Sequence, residues 1–112
     1  MGFLITPPST QNSNQLKLGE TISDTVPLIA NTATDLIETD GTALNGRKIY
    51  SITSASGTSV VKIALGRTAT DTDYDYPLHP GVTIGDFDFS ADNISAISTT
   101  VATVNISYAK YE

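Results

Sequence analysis

Short runs of β-branched and apolar residues, each closed by a turn signal, recur along most of this chain and predict an all-β fold. Apolar and polar positions alternate in Arg47–Ser54, Val82–Phe89 and Thr100–Ala109, as in strands with one face in a core. No stretch has the periodicity of an amphipathic helix. Seven or eight such strands predict an antiparallel β-sandwich or a small barrel. Turn dipeptides separate the runs at Asp40-Gly41, Asn45-Gly46, Ser56-Gly57 and Pro80-Gly81.

Two local features of these strands can be predicted. Arg47–Ser54 and Ser59–Leu65 flank the Ser56-Gly57 turn and have the pattern of a β-hairpin. Within Val82–Phe89 the apolar face changes register near Gly85, which indicates a β-bulge there.

The first 24 residues differ from the rest, since they hold Pro7-Pro8 and a polar tract and show no strand period. We predict an extended arm over residues 1–24 and a β-sandwich domain over residues 25–112. The alternative is a disordered terminus. The apolar residues of the arm are the candidate partner-binding residues: Phe3, Leu4, Ile5, Leu16 and Leu18.

Composition excludes several classes of function. A chain of 112 residues has room for one domain. Its net charge is −6 and its six cations are scattered, which argues against nucleic acid and against an anionic membrane as partners. The chain has no cysteine, so it forms no disulfide and has no thiolate chemistry.

No catalytic constellation is visible. The single histidine, His79, has no second histidine or cysteine with which to form a catalytic pair or a metal site, and no phosphate loop or nucleophile elbow is present. We therefore expect no enzyme and no cofactor. One weak metal candidate exists, the alternating carboxylates Asp71, Asp73 and Asp75, since oxygen ligands in a loop suit calcium. The EF-hand pattern fails at Tyr76 and Val82, and we expect a solvated acidic loop and no metal.

From Asn31 onward, four segments of the sequence carry a resemblance to a known family. They are NTATDLIETDGTALNGRKIYSITSASGT, VVKIALG, YPLHPGVTI and NISAISTTVATVNISY, the last read as a closing hairpin. In these segments the chain resembles small virion proteins of tailed and related bacteriophages. The resemblance implies a structural role on a capsid, as decoration, cement, fibre or tail component, and it implies no catalytic residue. The arm and residues 71–75 lie outside it.

These observations lead to two hypotheses of different classes. The first is a capsid decoration or minor capsid protein of a virion, which binds the major capsid protein or another virion protein through its arm and sheet edges and forms a homo-oligomer. The second is a receptor- or glycan-binding module of a phage fibre, spike or tail. The sequence names neither the partner nor the copy number.

Overall fold

A computed structural model describes residues 17–112, which form two antiparallel β-sheets packed face to face. The part described contains no helix, and so none that could cross a membrane. Its nine strands are β1 (Ile22–Leu28), β2 (Thr34–Ile37), β3 (Arg47–Ser56), β4 (Val61–Leu65), β5 (Tyr76–Leu78), β6 (Thr83–Ile84), β7 (Phe87–Phe89), β8 (Ile94–Ile97) and β9 (Ala102–Lys110).

The order of the strands is that of a jelly roll. The first sheet has the order β1-β9-β3-β6, with β7 also paired to β3, and the second has the order β2-β8-β4-β5. Most connections therefore cross from one sheet to the other, as in a jelly roll built from two Greek keys. The predicted all-β sandwich is confirmed.

The predicted hairpins are wrong. β3 pairs with β9, β6 and β7, whereas β4 pairs with β5 and β8, so the Gly57 turn carries the chain across the core. β8 and β9 likewise lie in opposite sheets. A hairpin and a crossover both need a tight turn between two apolar runs, and the sequence pattern does not distinguish them.

The core lies between the two sheets and is aliphatic. β-branched residues suit it, because they pack well on a pleated surface. Phe87, Phe89 and Tyr108 pack against its margin and are only partly buried. The buried centre consists of Leu28, Leu36, Ile37, Ile49, Ile52, Val61, Ile63, Leu78, Ile94, Ala96, Ala102, Val104 and Ile106.

The predicted change of register near Gly85 involves two strands. Ile84 and Phe87 both pack against the core, although three positions separate them and strict alternation would place them on opposite faces. On the facing strand, the pairing of β3 with β9 shifts between Ile49 and Ser51. Relative to β9, the extra residue therefore lies at Tyr50 of β3. β6 and β7 pair with β3 in the same register on either side of Gly85.

The domain begins earlier than Thr25. β1 starts at Ile22, and before it Leu18 forms a bridge with Tyr111 while the Gly19 N–H donates to the Lys110 carbonyl at 2.8 Å. Residues 18–24, which we assigned to the arm, therefore belong to the first sheet. Their polar side chains hid this, because an edge strand exposes most of its residues.

Candidate interaction surfaces

The acidic loop between β4 and β5 is closed by ion pairs. Asp71 accepts a hydrogen bond from Lys62 Nζ at 2.6 Å, and the Arg67 guanidinium contacts Asp73 at 3.0 Å and Asp75 at 2.8 Å. The three carboxylates thus face cations of the protein and do not converge on one point. Among the described residues, no group of three or more His, Cys, Asp or Glu side chains is placed to hold a metal ion.

This loop covers the outer face of the second sheet. Ala69 is buried there, and its N–H donates to Ser95 Oγ at 2.7 Å while Ser95 Oγ donates to the Arg67 carbonyl at 2.7 Å. Hydrogen bonds from Arg67 and from the Leu65 N–H hold the pKa of Asp75 below its ordinary value. The arrangement is typical of a loop that is structural, since each charge already has a partner.

Arg47 is the one charged residue in the core of the described domain, at 1% exposure. Its guanidinium donates to three backbone carbonyls, those of Ser90 at 3.2 Å, Glu38 at 3.1 Å and Asp92 at 2.6 Å. Burial lowers its pKa from the ordinary value. Arg47 therefore ties the β2–β3 and β7–β8 connections to the start of β3.

The free edge of β1 is protected against pairing with a further strand. The Thr25 N–H, which points away from β9, donates to Asp24 Oδ1 at 2.8 Å. Pro27 lies two residues on, on the same side of the strand, and has no N–H to offer. Proline and inward-turned charge are two devices by which proteins block sheet edges. The longest edge strand among residues 17–112 is thus a poor template for strand addition.

The opposite edge of the same sheet is open. The Ser54 N–H donates to the Val82 carbonyl at 3.1 Å, so the neighbouring Thr83 directs its backbone N–H away from β3. β6 and β7 contain no proline, and neither does β2, an edge of the second sheet. β5, the other edge of the second sheet, contains Pro77. Each sheet therefore has one protected and one unprotected edge.

The outer face of the first sheet is an array of hydroxyl and amide groups. One row across four strands consists of Thr25, Asn105, Thr53 and Thr83. Thr25 Oγ1 donates to Asn105 Oδ1 at 2.8 Å, and Thr53 and Thr83 join through their hydroxyls at 2.6 Å. The side chains of this row therefore satisfy one another's hydrogen bonds without any charged group.

A groove of about 590 Å³ opens between β1 and β2, on the side where neither sheet continues. β1 has seven residues and β2 has four, so the inner face of β1 extends past the opposite sheet. Ile22 on that face is 42% exposed. Sequence analysis missed this groove, because its existence depends on the relative length of two strands that are distant in sequence.

Of the predicted partner-binding residues, Phe3, Leu4, Ile5 and Leu16 lie outside the described residues. Leu18 is described, and it is 40% exposed where it bridges to Tyr111. The structure therefore places one of the five at the point where the arm joins the first sheet.

No protein-family model matches the chain, and no curated protein matches it. One solved structure does, under the description "Bacillus endospore appendages form a novel family of disulfide-linked pili", with a TM-score of 0.50 and 14% sequence identity over 81% of this chain and 88% of that one. The chain is therefore similar in fold to a component of that appendage.

Proposed function

We propose that this chain is a structural subunit that assembles with further copies, or onto a larger protein surface, through its N-terminal arm and its unprotected strand edges. The observation that carries the proposal is the distribution of the protected edges. β1 and β5 are blocked by Pro27 and Pro77, whereas β2 and the β6–β7 edge are not. Selective protection is expected where some edges pair and others must not.

The two unprotected edges lie on opposite sides of the sandwich and in different sheets. Pairing of β2 in one copy with the β6–β7 edge of the next joins two different surfaces. Such a heterologous contact gives a ring if the rotation closes and a filament if it does not. Both edges are short, so each contact contributes few hydrogen bonds, and a stable assembly depends on many copies or on the arm.

The structural neighbour supports a role of this kind, since its description is that of a pilus. That description also specifies disulfide links, and this chain has no cysteine. An assembly of this chain would therefore be held without disulfide links.

A more specific version of the proposal is that the subunit is a component of a virion. The resemblance of residues 31–112 to small phage virion proteins favours decoration of a capsid, with the major capsid protein as the partner. Co-sedimentation with intact particles tests this form: binding of the purified protein to particles supports it, and assembly of the pure protein into fibres without particle binding contradicts it.

Two proline substitutions test the strand-edge contact. Thr83 and Thr25 end the same row of the first sheet, and both direct their N–H groups outward. Thr83→Pro removes a free donor on the open edge, whereas Thr25→Pro removes one that Asp24 already occupies. We expect Thr83→Pro to reduce assembly in sedimentation velocity at least tenfold and Thr25→Pro to leave it unchanged, with β-sheet circular dichroism retained in both. Equal assembly of the two variants contradicts the strand-edge contact.

The receptor-binding alternative is favoured by the hydroxylated face of the first sheet, where a shallow concavity of about 570 Å³ lies over Ser51, Asn105 and Ser107. A glycan array probed with the intact chain separates the two functions. Binding to defined glycans without any self-assembly or particle binding would favour the receptor module.

A further inference from the structure

The groove between β1 and β2 has an apolar floor that the described part of the chain leaves partly uncovered. Ile22 and Val26 of β1 and Tyr108 of β9 lie on it. Val26 and Tyr108 pack against the core and are partly buried, whereas Ile22 is 42% exposed. An apolar strip of this kind, open along one side of a sandwich, gains free energy when another apolar segment covers it.

The rim of the groove is acidic. Asp24, Asp35, Glu38 and Asp40 line it. Lys110 contacts Asp40 at 3.5 Å. Arg47, the other cation among the described residues of the groove, is buried beneath it with its guanidinium on backbone carbonyls. The rim therefore carries an excess of negative charge and disfavours an acidic occupant.

The charge of the chain is divided unevenly between arm and domain. Residues 1–17 contain one cation, Lys17, and no carboxylate, while residues 18–112 hold the other five cations and all twelve carboxylates, a net charge of −7. The arm is thus the part of this protein that can enter an acidic groove without like-charge repulsion. It also carries three adjacent apolar residues, Phe3, Leu4 and Ile5.

Length and direction favour the arm of another copy. From Ile5 to Lys17 an extended chain spans about 40 Å, more than the roughly 30 Å of a nine-residue strand such as β9. The Leu18–Tyr111 bridge and the 2.7 Å bond from the Glu112 N–H to the Lys17 carbonyl hold residues 17 and 18 in line with β1. The arm joins the domain from beyond the end of β1, whereas the groove runs back toward Val26.

We infer that the groove between β1 and β2 receives residues Phe3–Ile5 from the arm of a second copy of this chain. The inference rests on the proposed function and names the receiving surface. The apolar side chains cover Ile22 and Val26, and the acidic rim accepts a segment that has no carboxylate. Because Thr25 and Pro27 offer no free N–H, the contact is made by side chains and adds no strand to β1.

A photo-crosslinking experiment on the intact chain tests this inference. Benzoylphenylalanine replaces Phe3, and equal amounts of ¹⁴N- and ¹⁵N-labelled protein are assembled, irradiated and digested for mass spectrometry. We expect crosslinks from position 3 to peptides containing residues 22–26 or 36–40, joining chains of different isotope. Crosslinks to other surfaces, or only within one chain, would overturn the inference.

Two matched substitutions give a second readout. Ile22→Glu places a carboxylate on the groove floor, whereas Ile29→Glu makes the same change at a residue that is 68% exposed, one residue beyond the far end of β1 and outside the groove. The concentration needed for half-assembly should rise at least tenfold for Ile22→Glu and stay within twofold for Ile29→Glu. An equal effect of both variants, or none, would overturn the inference.

Deletion of residues 1–15 separates this inference from the proposed function. If the deletion abolishes assembly while Ile22→Glu does not, the arm acts elsewhere: the groove assignment is wrong and the proposed function stands. If the deletion leaves assembly intact, the role of the arm in the proposed function fails, and the groove assignment fails with it. If the deletion and Ile22→Glu each abolish assembly, the result supports the groove assignment and the proposed function.

Discussion

Ser54 and Ser95 are both buried, and they differ in what surrounds their hydroxyl groups. Ser95 Oγ accepts from the Ala69 N–H and donates to the Arg67 carbonyl, both at 2.7 Å. Ser54 Oγ, on the inner face of β3, has no hydrogen-bond partner within the described structure. A buried hydroxyl without a partner loses its hydrogen bonds to water and forms none in the protein. The Ser54 hydroxyl therefore destabilises the fold, whereas that of Ser95 stabilises it.

Substitution of each serine by alanine should therefore change stability in opposite directions. We expect Ser54→Ala to raise the free energy of unfolding by about 1 kcal/mol and Ser95→Ala to lower it by about 2 kcal/mol. Urea denaturation of the two variants measures both effects, and the comparison is direct because the substitution is the same at each position. A loss of stability in Ser54→Ala would show that its hydroxyl has a partner, such as a buried water.

Arg47 shows where residue-level prediction from sequence ends. The sequence places it at the start of a strand, after the Asn45-Gly46 turn, and the structure agrees. Its burial was not predictable, because the three carbonyls that accept its hydrogen bonds belong to residues 38, 90 and 92. A charged residue is enclosed only where distant loops supply its partners, and one sequence does not show which loops meet.

At the level of elements, β3 and the β6–β7 edge both switch which of their alternate residues face the core, and they do so at the same point along the sheet. The residue between Ile49 and Ser51 is extra relative to β9, and opposite it the chain passes Gly85, whose backbone lies against the Tyr50 carbonyl. A Cβ at Gly85 would collide with that carbonyl oxygen, and its φ of +152° is one that other residues rarely adopt. Glycine is therefore required where the two changes of face meet.

Three glycine-to-alanine variants separate these effects. Gly85→Ala should lower the free energy of unfolding by about 2 kcal/mol or more, because it adds a collision to an unfavourable φ. Gly81→Ala, at φ +80° with open space around it, should cost about 1 kcal/mol. Gly41→Ala, with open space and no such φ, should stay within about 0.5 kcal/mol. Thermal denaturation should rank them in this order, and a neutral Gly85→Ala would contradict the role assigned to that position.

The acidic loop makes the stability of the protein depend on pH. Since Arg67 and the Leu65 N–H lower the pKa of Asp75 in the folded state, its ionised form stabilises the fold above the ordinary carboxylate pKa of about 4. That contribution is lost as the pH falls through the lowered pKa. We expect Asp75→Asn to be less stable at pH 7 and to change less between pH 5 and pH 2 than the unaltered chain.

Denaturant unfolding across that pH range measures the difference. Arg67→Gln should show the same flattened profile, because it removes the first cause of the lowered pKa. If either variant keeps the full steepness of the unaltered protein, the acid dependence arises from other carboxylates.

At the level of elements, the sequence predicted where most strands lie but not how they pair. Arg47–Ser54 and Ser59–Leu65 were recognised as strands, and their placement in opposite sheets was not. Alternation of apolar and polar residues indicates that one face of a strand is buried, but it does not indicate which strand lies beside that strand. Pairing in a jelly roll is set by contacts far apart in sequence, such as those of β3 with β9.

For the molecule as a whole, the boundary between arm and domain decides what a truncation can test. A chain that begins at Thr25 lacks the first three residues of β1. It also loses the Leu18–Tyr111 bridge and the bond from the Glu112 N–H to the Lys17 carbonyl. It therefore exposes the end of β9. A chain that begins at Leu16 keeps all of these contacts and loses residues 1–15.

We accordingly expect the chain that begins at Leu16 to unfold at the temperature of the intact protein, within about 2 °C, and the chain that begins at Thr25 to unfold at least 5 °C lower. The difference follows from the hydrogen bonds and the β1–β9 pairing that the longer deletion removes, since a loss of about 1 kcal/mol lowers the midpoint of a domain this size by about 4–8 °C. Calorimetry of the three chains measures it. Equal midpoints for both truncations would mean that residues 18–24 add nothing to the domain, and the boundary would return to Thr25.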